Sequence, residues 1–461
     1  MKTSFFLIIS FLIFCFFIDR PPVNADWINP SGAANAIKSG NPLIADAGSI
    51  YDKFTERAQE GVRGPIGKWH YYWKDGFRID GSNKNLTLKA NLSIMIDGGY
   101  IGTDEELEKA FPDLEGSDVE LRDLRVTMDG TLYDWAKFRL SLDFANLQDI
   151  KDEWIRFKKI PFIKHFKMGY FKEPISLENV TSLKSLTFME IALPASAFGP
   201  GRNFGISRQT AVLNQRMTWT LGAFLNTDSF SDVGDSKDQI DQANGWNITG
   251  RITGLPWYEE KGKKLLHLGL SYSHQFRGIE DFTVQLRTRP ESRLTDDRLV
   301  DTGEFFMDGG DLINPEIAII AGPISFQGEY FHAFADADSV GDPDFWGFYL
   351  YGSYLFTGEH RRYNRITGTF SRLEPKHNFR LRQREWGAWE LASRISYIDL
   401  NSAEIRGGEE FNFTAGLNWY LSKKTRLMIN YIHARVNDRE TPPRVDSSHA
   451  DILQARFQIG F

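Results

Sequence analysis

From about Phe77 onward the chain is a series of segments in which apolar and polar residues alternate, each bounded by turn residues. In Tyr133 to Phe144, Phe138, Leu140, Leu142 and Phe144 share one face while Lys137, Arg139, Ser141 and Asp143 share the other. The period recurs where Phe411, Phe413, Ala415, Leu417, Trp419 and Leu421 oppose Asn412, Thr414, Gly416 and Asn418. It recurs again where Met217, Trp219, Leu221 and Ala223 oppose Arg216, Thr218, Thr220 and Gly222, and where Trp246, Ile248 and Ile252 oppose Asn247, Thr249, Arg251 and Thr253. Period two predicts strands, and apolar residues kept to one side predict lipid outside and water inside. The last eleven residues follow the rule: Leu453, Ala455, Phe457, Ile459 and Phe461 share a face against Gln454, Arg456 and Gln458. A strand ending on a bare aromatic carboxyl terminus suits the closing strand of a membrane barrel.

A Lys or Arg on the lipid face near the bilayer centre costs roughly 2–4 kcal/mol, and an unpaired backbone group in hydrocarbon costs several more, so such a sheet must close on itself. About 17 strand candidates are present, of which Gly76 to Gly81 and Lys151 to Lys158 are the weakest. Bacterial barrels normally have an even number of strands, so one candidate is spurious or lies outside the wall. The predicted fold is all-β, a transmembrane antiparallel barrel of about 16 strands, a size that leaves an aqueous channel. Long charged connections such as Gly278 to Gly303 and Thr357 to Glu385 alternate with tight ones such as Leu421 to Thr425 and Asp129 to Tyr133. That asymmetry predicts long external loops and short periplasmic turns.

The N-terminus changes the compartment. Lys2, the apolar run Phe5 to Ile18 and the small residue of Val23-Asn24-Ala25 predict a secretory signal peptide over residues 1–25, too short for a comfortable spanning helix. It takes the single cysteine, Cys15, with it, and the remaining chain has no thiol for a disulfide or metal site. Residues 26–75 read as a periplasmic lead-in or linker, and 76–461 as the barrel. Aromatic residues are 14% of the chain, yet no second long apolar run exists, which fits a barrel better than helical membrane spans. With 54 basic and 61 acidic residues, nothing suggests a nucleic-acid partner.

Taking each polar face as lumen-facing points Arg125, Lys137, Arg139, Arg156, Lys167, Arg216, Arg251, Arg394, Arg426 and Arg456 inward, against Asp123, Asp143, Glu329 and Glu390. The predicted wall is therefore basic although the chain is acidic. Screening over about 8 Å at physiological salt keeps wall charge from selecting strongly in a wide pore, so a loop must narrow it. The candidate is Glu173 to Arg202, long, carrying Pro174, Pro194 and Pro200 and a Gly199-Pro200-Gly201 turn.

Several blocks resemble the phosphate-selective porin O and P family: Phe171 to Lys184, Thr187 to Pro194, Gly322 to Tyr330, Leu355 to Arg361, Gly387 to Arg394, and Leu417 to Leu421 with Asn430 to Arg435. The resemblance spans about Phe77 to Phe461. It implies a 16-stranded outer-membrane porin, usually trimeric, that passes small anions such as phosphate or polyphosphate through a constriction built by loops in the lumen. It also implies that Lys184, in the block Thr181-Ser182-Leu183-Lys184, faces that constriction, with Arg202 closing the same loop. One departure stands out: the family commonly has Met-Glu-Arg where this chain has Met189-Glu190-Ile191, which removes a basic group and leaves Glu190 without an expected partner.

No catalytic or metal motif competes with this reading: the nine histidines form no H-E-x-x-H, and no serine sits in a nucleophile elbow. The cluster His360-Arg361-Arg362 reads as an exposed basic loop. The expectation is an outer-membrane diffusion channel for small anions, neither an enzyme nor a cofactor protein. The alternatives are a general small-solute porin, in which the inward arginines are paired and neutralised, and a structural or adhesive surface barrel.

Overall fold

The computed structural model describes residues 64–66, 69–81, 85–145, 149–159, 165–225, 245–277 and 283–461. The expected signal peptide and nearly all of the expected lead-in lie outside them. Sixteen strands form the wall. They are β1 (Leu86–Thr103), β2 (Gly116–Leu132), β3 (Ala136–Asp143), β4 (Asp149–Phe157), β5 (Phe166–Lys172), β6 (Arg202–Val212), β7 (Met217–Leu225) and β8 (Gly245–Glu259). Then come β9 (Lys264–Arg277), β10 (Gly309–Ala321), β11 (Ile324–Asp336), β12 (Asp344–Leu355), β13 (Ala388–Ser402), β14 (Ile405–Tyr420), β15 (Thr425–Arg439) and β16 (Val445–Gly460). Each pairs antiparallel with its neighbours, and β16 closes the ring on β1 from Ala450↔Thr103 to Gly460↔Ser93.

The extra strand candidate is Phe77–Gly81. It pairs with the first part of β1, from Phe77↔Ala90 to Asp80↔Thr87, just beyond the point where β16 stops, and Trp69–Trp73 and Gly64–Ile66 add to it in turn. This short ribbon covers a stretch of β1 edge that would otherwise be left unpaired. Lys151 to Lys158 belongs to the wall, within β4 and its exit.

Strand alternation sorts the connections onto two ends. Phe461 shares its end with the tight turns Tyr133–Trp135, Leu213–Arg216, Glu260–Lys263, Gly322–Pro323 and Leu421–Lys424. The connections 104–115, 173–201 and 278–308 leave from the other end. Thr357 to Glu385, expected among the external loops, instead leaves from the tight-turn end, because it joins β12 running toward that end to β13 running away from it.

The faces fall as the alternation requires. On β16, Leu453 and Phe457 are exposed outward while Gln454, Arg456 and Gln458 are buried inward; on β14, Phe411 and Phe413 are exposed and Asn412, Thr414 and Asn418 buried. Toward the long-loop end the polarity inverts. On β15 the inward residues become Ile432, Ala434 and Val436, while His433 and Arg435 turn outward. Strands of 13–16 residues exceed the 9–11 needed to cross hydrocarbon, so the inversion marks where the wall emerges. Tyr-x-His with a cross-strand Asp marks the same level three times: His274 meets Asp311 at 2.8 Å, His332 meets Asp344 at 2.8 Å and His433 meets Asp451 at 2.9 Å.

The inverted inward residues do not face water. Phe331, Phe345, Ile398, Ile432 and Ile452 pack with Ile175, Phe188, Leu193 and Phe198 of the 173–201 connection and with Leu286, Leu299 and Phe305 of the 278–308 connection. An apolar core thus lies inside the barrel, built between wall and infolded loops.

Candidate functional site

The 173–201 segment enters the lumen as a sequence of short elements. Ser176, at φ +67°, accepts a hydrogen bond from the Asn179 amide (3.1 Å) and starts α1 (Leu177–Val180). A 3₁₀ turn at Leu183–Ser185 follows, and Pro194 occupies the first turn of α2 (Leu193–Phe198), where its missing N–H costs nothing. Ile175, Leu177, Phe188, Met189, Leu193 and Phe198 are all buried, which fixes the segment as a packed insert.

Polar anchors tie it to the wall at four levels. Glu173 accepts from Asn203 (2.6 Å), Asn247 (3.0 Å) and Thr249 (2.6 Å). Glu329 accepts the amides of Leu177 (3.0 Å) and Glu178 (2.8 Å) at the start of α1. Arg394, 1% exposed, reaches Glu178 (3.4 Å), the Glu190 carbonyl (3.1 Å) and Glu291 of the 278–308 connection (2.5 Å), and so joins two inserts at one guanidinium. Arg456 pairs with Asp97 (2.6 Å) and Glu190 (2.7 Å) and donates to the Met189 carbonyl (2.5 Å).

Glu190 is far from lacking a partner. Arg122 grips it at 2.7 and 2.9 Å, alongside Arg456 and, at 4.0 Å, Arg293. Burial alone would raise its carboxyl, and the Arg122 and Arg456 guanidiniums overcome this and hold it far below the usual range. Three arginines from three other segments replace the one that Ile191 omits.

Of the basic residues read as lumen-facing, Arg394, Arg426 and Arg456 do point inward but are sealed under the inserts, with Arg426 donating to the Leu186 carbonyl at 2.6 Å and to Gln458 at 2.9 Å. Arg251 is buried against Glu316 (2.6 Å). Arg216 sits in the exposed Leu213–Arg216 turn, donating to the Leu255 and Tyr258 carbonyls, so it is not a wall residue.

Arg125, Lys137, Arg139, Arg156, Lys167, Arg202 and Lys184 do line open space. It is a cavity of about 1420 Å³ whose lining includes twenty basic and six acidic side chains. Of its wall strands only β1–β8 contribute; β9–β16 supply no lining residue. Arg139 meets Asp129 at 2.7 Å and Arg202 meets Asp152 at 3.3 Å. Lys167 lies 3.5 Å from the Phe171 ring centroid. The Lys184 ammonium has no carboxylate within ion-pair distance among the described residues, and burial, then Arg372, with smaller contributions from Arg125 and Arg139, outweigh the pull of Asp123 and lower its pKa to about 8.

The match that decides the family covers residues 95–461, the model described as phosphate-selective porin O and P. The chain belongs to that family. It is therefore an outer-membrane channel protein, and its tight-turn end is the periplasmic one. A relative from Caulobacter vibrioides, described as an uncharacterized protein, is 26% identical over 365 residues, 78% of this chain and 70% of that one. Among solved structures, the anion-selective porin from Comamonas acidovorans superposes with TM-score 0.51 at 12% identity, over 82% of this chain and 100% of that one. The DcaP channel of Acinetobacter baumannii gives 0.49 at 12% identity, over 83% and 99%.

Two further inserts shape this porin's lumen, and neither was expected there. From the external end, 283–306 doubles back as short ladders, Thr283–Val284 on Phe305–Phe306 and Arg287–Thr288 on Val300–Asp301, and brings Arg287, Arg289 and Arg293 to the cavity. From the periplasmic end, a hairpin of Arg362–Asn364 and Thr369–Ser371 rises inside the barrel. Arg361 is buried, its guanidinium 3.7 Å from the Phe370 ring centroid, a correction to the expected exposed basic cluster. Gly368, at φ +66°, lets Arg251 bond its carbonyl at 2.9 Å; a Cβ there would lie 2.9 Å from Thr253 and 3.0 Å from Thr218. The hairpin delivers Arg372 beside Lys184. The signal for both inserts was in the sequence: Leu286, Leu299, Phe305, Tyr363, Phe370 and Leu373 are more apolar side chains than solvated loops need.

Among the described residues, the acidic trio close enough to share a cation, Asp336, Asp338 and Asp342, is exposed at the external end and away from the cavity.

Proposed function

We propose that this porin is an anion-selective diffusion pore with phosphate or polyphosphate as its favoured solute, and that it works as a homotrimer after removal of an N-terminal leader. The observation that carries the reading is the cavity lining, basic by twenty to six in a chain that is acidic overall. Lys184 and Arg202 form the proposed constriction pair, Lys184 as the ion contact because its ammonium is half-buried and has no carboxylate partner. A lysine there attracts an oxyanion as a compact point charge, and the surrounding water lets the ion leave again. Arg125, Lys137, Arg139, Arg156 and Lys167 supply the proposed approach to it.

The general-porin reading has one observation in its favour: Arg251, Arg394 and Arg456 are each neutralised by buried carboxylates. Arg394 and Arg456 lie under inserts and outside the cavity lining, and Arg251, which does border it, is a single member of a lining that stays basic without it. Single-channel reversal potential in a KCl gradient separates the readings. The anion pore gives a potential close to the chloride limit and a chloride current blocked by added phosphate. A cation-leaning or neutral potential contradicts it, and absence of conductance points to the structural or adhesive barrel.

A further inference from the structure

The periplasmic segment following the hairpin does not enter the lumen. It leaves the wall as a small lobe, Lys376 to Trp386, pinched shut where the Arg380 amide donates to the Glu385 carbonyl (2.9 Å) and the Glu385 amide donates back (3.2 Å). The other periplasmic turns that are described in full run to two to four residues, which makes an ordered lobe of this size conspicuous.

Its seat is on the lipid side. Phe379 packs edge-on against Trp419 (5.1 Å between centroids) and its amide donates to the Leu421 carbonyl at 2.7 Å. Trp419 stacks on Trp389 at 5.0 Å and donates its indole N–H to the Trp386 carbonyl at 2.7 Å. Trp389 and Trp419 are directly paired on β13 and β14, on the face opposite the buried Glu390 and Asn418, so this aromatic cluster belongs to the outward belt. Leu381 and Trp386 are 69% and 56% exposed beside it.

The lobe is also strongly basic. Lys376, Arg380, Arg382 and Arg384 face one carboxylate, Glu385, which already accepts His377 (3.4 Å) and Arg380 (3.9 Å). Arg382 and Arg384 are exposed and have no ion pair among the described residues. Tryptophan and leucine at headgroup depth with guanidiniums just beyond them match one surface, a leaflet carrying phosphodiester charge.

We propose that Lys376 to Trp386 is a headgroup clamp for anionic glycerophospholipid in the periplasmic leaflet, with Arg380, Arg382 and Arg384 on the phosphate and Trp386 and Leu381 in the interface. The clamp rests on the outer-membrane placement and is independent of which solute the pore passes. An acidic periplasmic protein would satisfy the arginines alone; continuity with the lipid-facing aromatic belt favours the lipid.

The test uses the folded full-length porin in detergent, mixed with equimolar phosphatidylglycerol and phosphatidylcholine at low ionic strength, with retained lipids counted by native mass spectrometry. The wild type retains phosphatidylglycerol preferentially, and R380Q/R382Q/R384Q loses that preference by about five-fold per arginine removed, with heat-modifiability and reversal potential unchanged. Raising salt on the wild type erodes the preference in the same way, which tests the clamp without any variant. Equal retention of the two lipids by the wild type, or an unchanged preference in the triple variant, overturns the clamp. So does an unchanged lipid preference coupled to lost capture of an acidic protein.

Discussion

The two halves of this lumen use the same residue types for opposite purposes. Along β9–β16 the inward arginines Arg394, Arg426 and Arg456 lie under packed inserts, each bonded to carboxylates, carbonyls or amides, with the Nε of Arg394 and of Arg426 left over. Along β1–β8 Lys137, Arg156 and Lys167 border open space, as do Arg125 and Arg139 even though Asp123, Asp143 and Asp129 pair with them. A buried guanidinium needs a full set of partners, and its field is spent on them; one in water keeps its field for a passing ion. Strand alternation alone yields the same inward assignment for both. What separates them is whether a loop's apolar side chains lie on top.

The sharpest way to break the comparison is to remove a node on the dry side. Arg394→Ala strands Glu178 and Glu291 in the interior and should cost about 3–5 kcal/mol, read as a lower heat-modification midpoint and a noisy, enlarged conductance. Lys137→Ser on the wet side should leave that midpoint unchanged. Equal midpoints for the two would erase the distinction.

Next in size is the outer face. Phe413→Arg puts charge on the lipid side at an exposed position and should cost about 2–4 kcal/mol of folded yield, whereas Arg139→Ser should fold normally and alter conductance. A reversal of those two effects would mean a register wrong by one residue.

Gly368→Val tests the periplasmic hairpin. A Cβ would lie 2.9 and 3.0 Å from the Thr253 and Thr218 hydroxyls, at a φ of +66° that strains a β-branched residue, so the hairpin should shift and loosen the Arg251 anchor, at about 1–3 kcal/mol, with a changed conductance as the readout. An unaltered conductance would remove the hairpin from the permeation path.

The smallest effect is a pH dependence. Because the Lys184 ammonium is lowered to about 8, the lysine is protonated at neutral pH and loses its charge as pH rises through that value. Anion preference should therefore decline between about pH 7 and 9, and Lys184→Arg should abolish the decline because a guanidinium stays charged. A flat profile in the wild type would show that Lys184 does not face the ion.

Much of this was legible from alternation, because a lipid face tolerates so few polar residues that Phe411, Phe413 and Leu417 could face only one way. The closing role of Asp451 to Phe461 and the infolding of Glu173 to Arg202 were legible for similar reasons: a terminal amphipathic strand, and a long proline-marked loop after a clean one. The fate of individual arginines was not. Arg394 and Arg139 look alike in a strand, and only the tertiary placement of Glu178, Glu291 and Phe188 makes one of them interior. Length alone does not place Thr357 to Glu385, whereas counting strands from Phe461 assigns it to the periplasmic side. Glu190 looked orphaned because its partners, Arg122, Arg293 and Arg456, are distant in sequence.

The central claim is that the basic, water-lined half selects anions at Lys184. The direct measurement is reversal potential in a KCl gradient for Lys184→Glu beside Lys137→Glu, in channels shown to be folded. A unit charge acting at about 4 Å with an effective dielectric near 20 outweighs one across wide water, so Lys184→Glu should shift the potential strongly toward cations and weaken phosphate block, while Lys137→Glu moves it little. Equal shifts for the two, or none for Lys184→Glu, would contradict the account.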